Sequence, residues 1–162
     1  MLRPMTTRSL PDDLRNALVV AVDDSVPARE ALRYAASMAK ESGRPLQVVT
    51  VWNFVRGPAP VQGPDEAPSE ARWQAEAEER LRRLVAEELG DDPGVVVRLH
   101  ALHGNTVPVL LAVSGLARHL VVGSRGRGGF SGLLLGSTSD QLVHHAPCPV
   151  TVVRTGTTRS AA

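Results

Sequence analysis

Short apolar runs alternate along this chain with stretches of helical period. Ala17–Val22 is apolar without interruption and ends at Asp23, which is how a strand buried on both faces reads. Ser25 is placed to cap a following helix, and Pro27 is tolerated in its first turn. Ala28, Ala31, Leu32, Ala35, Met38 and Ala39 then share one helical face before Gly43 supplies the stop. Leu46–Trp52 predicts a second strand, and the Pro- and Gly-rich stretch Asn53–Pro68 a long surface loop of the kind that often carries function. Ser69 predicts the cap of a second helix, with Trp73, Ala77, Leu81, Leu84 and Val85 as its buried stripe and Gly90 past its end. Val95–Leu102 predicts a third strand, followed by a helix capped by Asn105 or Thr106 that buries Val107, Leu110, Leu111 and Ser114. Leu120–Val122 predicts a fourth strand, Ser137–His145 a fourth helix and Val150–Arg154 a fifth strand.

Strands alternating with helices predict a parallel sheet covered on both faces, a three-layer α/β/α sandwich. Right-handed crossovers reduce the topologies to a few doubly wound orders. Ligands in such sheets bind outside the carboxyl ends of the strands, where the winding reverses. With the first strand central, the reversal lies between the first and fourth strands. The expected site is therefore Asp23 and the loop after Gly123.

Composition adds boundaries. The 162 residues suit one domain, expected over 17–154, with a disordered leader at 1–16 and a disordered tail at 155–162. The net charge is +1, which argues against a nucleic-acid binder working by bulk charge. Of the 18 basic residues only Lys40 is a lysine, so a cation placed in a site will be a guanidinium. Cys148 is the single cysteine, so no disulfide forms within the chain, as suits a reducing compartment. No apolar run is long enough to span a bilayer, and Met1–Pro11 lacks the apolar core of a signal peptide. A cytoplasmic location without membrane contact is the expectation.

The chemistry concentrates in Val121–Asp140. Gly123 and Gly126 follow a buried strand, where glycine lets backbone N–H groups approach an anion and permits positive φ. Gly136 then precedes three hydroxyls, Ser137, Thr138 and Ser139, at the start of a helix. A helix N-terminus offers unpaired N–H donors and partial positive charge, a ready phosphate site. Ser137 with Asp140 also fits a capping box, so capping alone is an alternative use of the hydroxyls. Arg125 and Arg127 are placed to add charge. Gly-x4-Gly-Lys-Ser/Thr is absent, and Ser131 breaks Gly-x-Gly-x-x-Gly.

Gly123-x2-Gly126-x9-Gly136-Ser137, set between Leu-Val-Val-Gly-Ser-Arg-Gly and Ala-Pro-Cys-Pro-Val, resembles the nucleotide-binding motif of the universal stress protein family. Val-Ala-Val-Asp-Asp-Ser at the first strand resembles that family's opening. The resemblance covers Ala17–Arg154. It implies a five-stranded parallel sheet of order 3-2-1-4-5, similar to the Rossmann-like adenine nucleotide alpha hydrolase folds, and ATP binding, with Mg²⁺ able to neutralise the phosphates. It places Asp23 on the adenosine moiety with the backbone of Ala21 and Val22 beside it, and the main chain of Val51 on the adenine edge. Val122, Gly123, Arg125 and Gly126 take the ribose and phosphate loop; Gly136, Ser137, Thr138 and Ser139 take the triphosphate cradle. Asp24 stands where the family commonly has glycine and adds negative charge near the ribose, an expected loss of affinity. His119 stands where the family often has Asp, with little expected effect.

The resemblance implies a nucleotide-dependent stress-response module acting through dimerisation or partner binding. A slow ATPase or adenylate-processing hydrolase is the alternative. A hydrolase triad lacks its Gly-x-Ser-x-Gly elbow. Adjacent His144 and His145 diverge on a helix, and His100 and His103 face opposite sides of a strand, so neither pair suits a metal. Cys148 reads as a small buried hydrophobe, and a single Arg-Gly-Gly with few aromatics gives little support to nucleic-acid stacking. Valines along Val150–Arg154 leave an apolar sheet edge that invites a homodimer. Replacing Gly123 and Gly136 by valine is expected to abolish nucleotide binding with the fold intact.

Overall fold

A computed structural model describes residues 10–53, 69–126 and 134–156. Five parallel strands, β1 (Leu18–Ala21), β2 (Leu46–Trp52), β3 (Val97–His103), β4 (His119–Gly123) and β5 (Val150–Val153), form one sheet of order β3-β2-β1-β4-β5. Helices α1 (Val26–Ser42) and α2 (Glu70–Leu89) cover one face, and α3 (Thr106–Ser114) and α4 (Ser137–His145) the other. The pleat explains the continuous apolar runs. Leu18, Val20, Leu46, Val48 and Val121 point to α1 and α2, whereas Val19, Val49, Leu120 and Val122 point to α3 and α4.

Local chemistry ends the elements where the turns demand it. Ser25 Oγ accepts the Ala28 N–H at the start of α1, and Gly43 closes that helix at φ +65. Ser69 accepts the Arg72 N–H at the start of α2. The N-cap of α4 is Gly136, with no side-chain cap, so Ser137 is the first helical residue and closes no capping box.

Several expectations shift. Strand β3 runs to His103 and β4 takes in His119 and Gly123. Trp73 stays 36% exposed because Gln74 turns inward instead, accepting from Trp52 Nε1 at 2.7 Å and donating to the Ala101 carbonyl at 3.0 Å. In α3 the buried residues are Val109, Leu110, Val113 and Ser114; an almost wholly apolar helix gives no periodicity from which to choose its face.

The expected leader is partly built into the core. Residues 12–14 form a 3-10 turn, Leu14 is fully buried, and Leu10 is 8% exposed against the same cluster as Val19, Val49 and Leu102. The Asn16 N–H bonds the Leu116 carbonyl at 2.9 Å. Asp13 Oδ1 is buried without a hydrogen bond, 3.7 Å from Nε2 of His100. That imidazole bonds the buried Gln47 at 2.8 Å, and burial pushes it below its ordinary value. Residues 1–9, the 54–68 stretch, Arg127 and the tail from 157 lie outside the described residues.

Candidate functional site

Strands β1 and β4 are neighbours in register, Ala21 opposite Val122, so their carboxyl ends open together at the reversal of winding. A cleft of about 360 Å³ lies there. All twelve residues expected at the site line it: Ala21, Val22, Asp23, Val51, Val122, Gly123, Arg125, Gly126, Gly136, Ser137, Thr138 and Ser139. Ala28, Val49, Thr106, Leu110 and Leu135 complete the wall. Val49 and Leu110 are indistinguishable from core residues in sequence, and Thr106 reads as a cap. Thr106 lies just past β3, away from the reversal of winding between β1 and β4, so the winding rule does not point to it.

One end of the cleft suits an anion. Just past β4 the Ser124 N–H bonds the Val153 carbonyl of β5 at 2.8 Å, and the Gly136 N–H bonds the Ser124 carbonyl at 2.7 Å, which sets the start of α4 against the end of β4. Ser139, 3% exposed, lies 2.8 Å from the Ser124 carbonyl and 3.0 Å from the Gly136 carbonyl. Its hydroxyl proton is committed to this closure. Gly136, the N-cap of α4, lies against Arg125 and Gly126, and Ser137 and Thr138 line the same end of the cleft, as suits a negatively charged group.

The glycines are required for space, not for left-handed backbone. Gly136 has φ −77, and Gly123 and Gly126 are likewise outside the left-handed region. A Cβ on Gly123 would lie 2.6 Å from the Pro27 carbonyl carbon and 2.8 Å from the Ala28 nitrogen. On Gly126 it would lie 2.6 Å from Asp23 Oδ2, and on Gly136 3.2 Å from Arg125 Cα. Valine at Gly123 therefore cannot leave the fold intact, contrary to expectation, because the obstacle is the backbone of α1.

The other end suits a heterocycle. The ladder between β1 and β2 closes where the Val22 N–H bonds the Val49 carbonyl at 2.9 Å. Val51, two residues on, presents its main chain in the same direction beyond that last bond. Thr106 and Leu110 of α3 stand in the same wall. Asp23 Oδ1 accepts the Ser25 N–H at 3.1 Å and hydroxyl at 2.6 Å. Asp24 departs from expectation: it does not line the cleft, and its carboxylate is paired with Arg29 at 2.5 Å. Its carboxylate is turned away from the cleft, toward a guanidinium that Glu87 and Glu88 of α2 also share.

The remaining chemistry lies elsewhere. His119, at the opposite end of the sheet, bonds Thr151 at 2.8 Å. His144 bonds the Asp140 carbonyl at 2.8 Å, and His103 stacks on Trp52 with ring centroids 4.3 Å apart. Cys148 is half-buried beside the α3 and α4 core, and burial pushes its thiol up, away from the reactive thiolate. Among the described residues no group of three His, Cys, Asp or Glu side chains could hold a metal ion, and no helix is long and apolar enough to cross a membrane.

A sequence model of the universal stress protein family matches residues 15–154. A universal stress protein of Mycolicibacterium smegmatis is 36% identical over 146 residues, which cover 88% of this chain and 47% of that one. The chain thus spans about half the length of the relatives it matches. Among solved structures, a universal stress protein of Archaeoglobus fulgidus is 27% identical with a TM-score of 0.59, covering 85% of this chain and 97% of that one. A second from that organism, in complex with dAMP, is 24% identical with a TM-score of 0.57, covering 86% and 98%.

Proposed function

The chain belongs to the universal stress protein family, and on that premise we propose that it binds an adenine nucleotide, ATP foremost, in the cleft between β1 and β4. The observation that carries this reading is the pairing of two unlike ends in one cavity: the start of α4 against Gly126, and the strand-end main chain of Val51 beside apolar walls. A phosphate chain fits the first, and a flat hydrogen-bonding base the second. The dAMP held by an Archaeoglobus fulgidus relative is of the same ligand class. Asp23 is the carboxylate in the wall, and Mg²⁺ needs only one or two carboxylates when substrate phosphates supply further oxygens. The metal would neutralise phosphate charge where lysine is lacking.

Binding is favoured over turnover by the same wall. Its ionisable groups among the described residues are Asp23 and Arg125, and Asp23 is already engaged by Ser25. Among the described residues no histidine or glutamate lines the cleft to activate a water. The module accordingly acts as a nucleotide-occupied partner or dimer. The half-buried edge strand β5 is the surface proposed for self-pairing.

Calorimetry of folded, nucleotide-free protein with ATP, ADP, AMP and cyclic AMP tests the reading. One saturable site for ATP is expected, with single-turnover phosphate release slower than about 1 s⁻¹. No heat with any of the four would sink it. Sedimentation of the same sample showing only a 17.3 kDa monomer at micromolar concentration would remove the dimer.

A further inference from the structure

The turn that carries Asp23 into the cleft is held from outside the cleft. Asp24 has φ +69, a left-handed conformation that a side-chain-bearing residue keeps only when its surroundings enforce it. Arg29 supplies that enforcement. Its Nη2 donates to Asp24 Oδ1 at 2.5 Å, while Nη1 donates to Glu87 Oε2 at 2.9 Å and Glu88 Oε1 at 2.7 Å in the last turn of α2. Glu88 is only 11% exposed and is also paired with Arg33. The three carboxylates hold the Arg29 guanidinium protonated well above its already high ordinary value.

From Asp24 the connection runs into the cleft. Ser25 bonds back to Asp23 through its N–H and hydroxyl, and its Oγ lies 3.3 Å from the Arg125 carbonyl. Asp23 Oδ2 sits where a Cβ on Gly126 would be 2.6 Å away. Asp23, set against the proposed phosphate loop, therefore adjoins a turn that Arg29 ties to the last turn of α2.

We propose that Arg29 is a positioning residue for the nucleotide cleft. By clamping Asp24 to the last turn of α2, it holds the left-handed turn that aims Asp23 and makes ligand affinity responsive to where α2 sits. This rests on the nucleotide reading above. Arg29 touches no ligand and lines no part of the cleft. Removing it takes the shared cation from Asp24, Glu87 and Glu88, while Arg33 stays paired with Glu88. The left-handed turn then loses its tie to α2. Glycine at position 24 adopts that backbone without a clamp and also deletes one of the three carboxylates.

The test measures ATP affinity for the wild type, Arg29→Ala and the double variant Arg29→Ala/Asp24→Gly. It adds amide hydrogen exchange over residues 23–28 in the nucleotide-free proteins. Arg29→Ala should bind ATP about fivefold more weakly, the scale of losing a partly exposed ion-pair cluster. Glycine at position 24 should bring the affinity back to within about twofold of wild type. Exchange at the Ser25 amide should rise in Arg29→Ala before any ligand is added. Unchanged ATP affinity in Arg29→Ala, or a loss that the glycine does not restore, overturns the positioning role. If the wild type itself binds no ATP, the nucleotide reading fails; the clamp is then judged on exchange alone, and an unchanged Ser25 amide overturns it.

Discussion

Gly123→Val should destabilise this fold before it costs a ligand. The nearest atoms to a Cβ at that position are all backbone, the Pro27 carbonyl carbon and oxygen and the Ala28 nitrogen, at 2.6–2.8 Å. No rotamer change relieves such a contact. The first turn of α1 must move off β4, which drags Ala28 and its neighbours away from the buried face of β1. Overpacking usually costs about 1–3 kcal/mol, and a helix displaced as a unit belongs at or above the top of that range. About 3 kcal/mol lowers the melting temperature by roughly 6–12 °C in a chain of this size. A thermal melt checks it; a melting temperature within about 2 °C of wild type would show that α1 can yield cheaply.

Gly126→Val should do the reverse, removing nucleotide affinity by about a hundredfold or more with little change in the melt. The atom nearest a Cβ there is the far end of the Asp23 side chain, and among the described residues beyond its chain neighbours no backbone lies within 4 Å. The side chain can swing, so stability changes little. The added methyl groups then stand between Asp23 and the start of α4, where a phosphate would need the open amides. A hundredfold corresponds to about 2.7 kcal/mol, comparable with losing two charge-assisted hydrogen bonds. Calorimetry with ATP reads the loss. Affinity within about fivefold of wild type would place the ligand somewhere other than this loop. Gly123 and Gly126 are thus separable, one letting a helix pack on β4 and the other keeping a cavity open.

The topology was legible because strands buried on both faces leave apolar runs, unbroken at Ala17–Val22 and nearly so at Leu46–Trp52, and because the winding rule then points to the carboxyl ends of β1 and β4. The twelve residues expected at the site lie together for the same reason: each lies at or just past a strand's carboxyl end or at the start of a helix there. What stayed hidden depends on contacts between distant segments. Nothing near position 24 in the sequence says that its carboxylate meets Arg29, or that Arg29 meets Glu87 and Glu88 some 58 residues on. The steric role of Gly123 required knowing that α1 crosses β4. Ser139 reads as a phosphate ligand from its neighbours, yet its hydroxyl is committed to the Ser124 and Gly136 carbonyls.

The segment before β1 bears on where this domain begins. The match to the family opens at residue 15, but Leu14 is completely buried and Leu10 nearly so, both against Val19, Val49 and Leu102. Shared ancestry and cooperative folding therefore mark different boundaries. A fragment cut at the edge of the family match would begin with a hydrophobic hole over β1 and β2, and it would melt as a damaged protein although every residue of its cleft was still present.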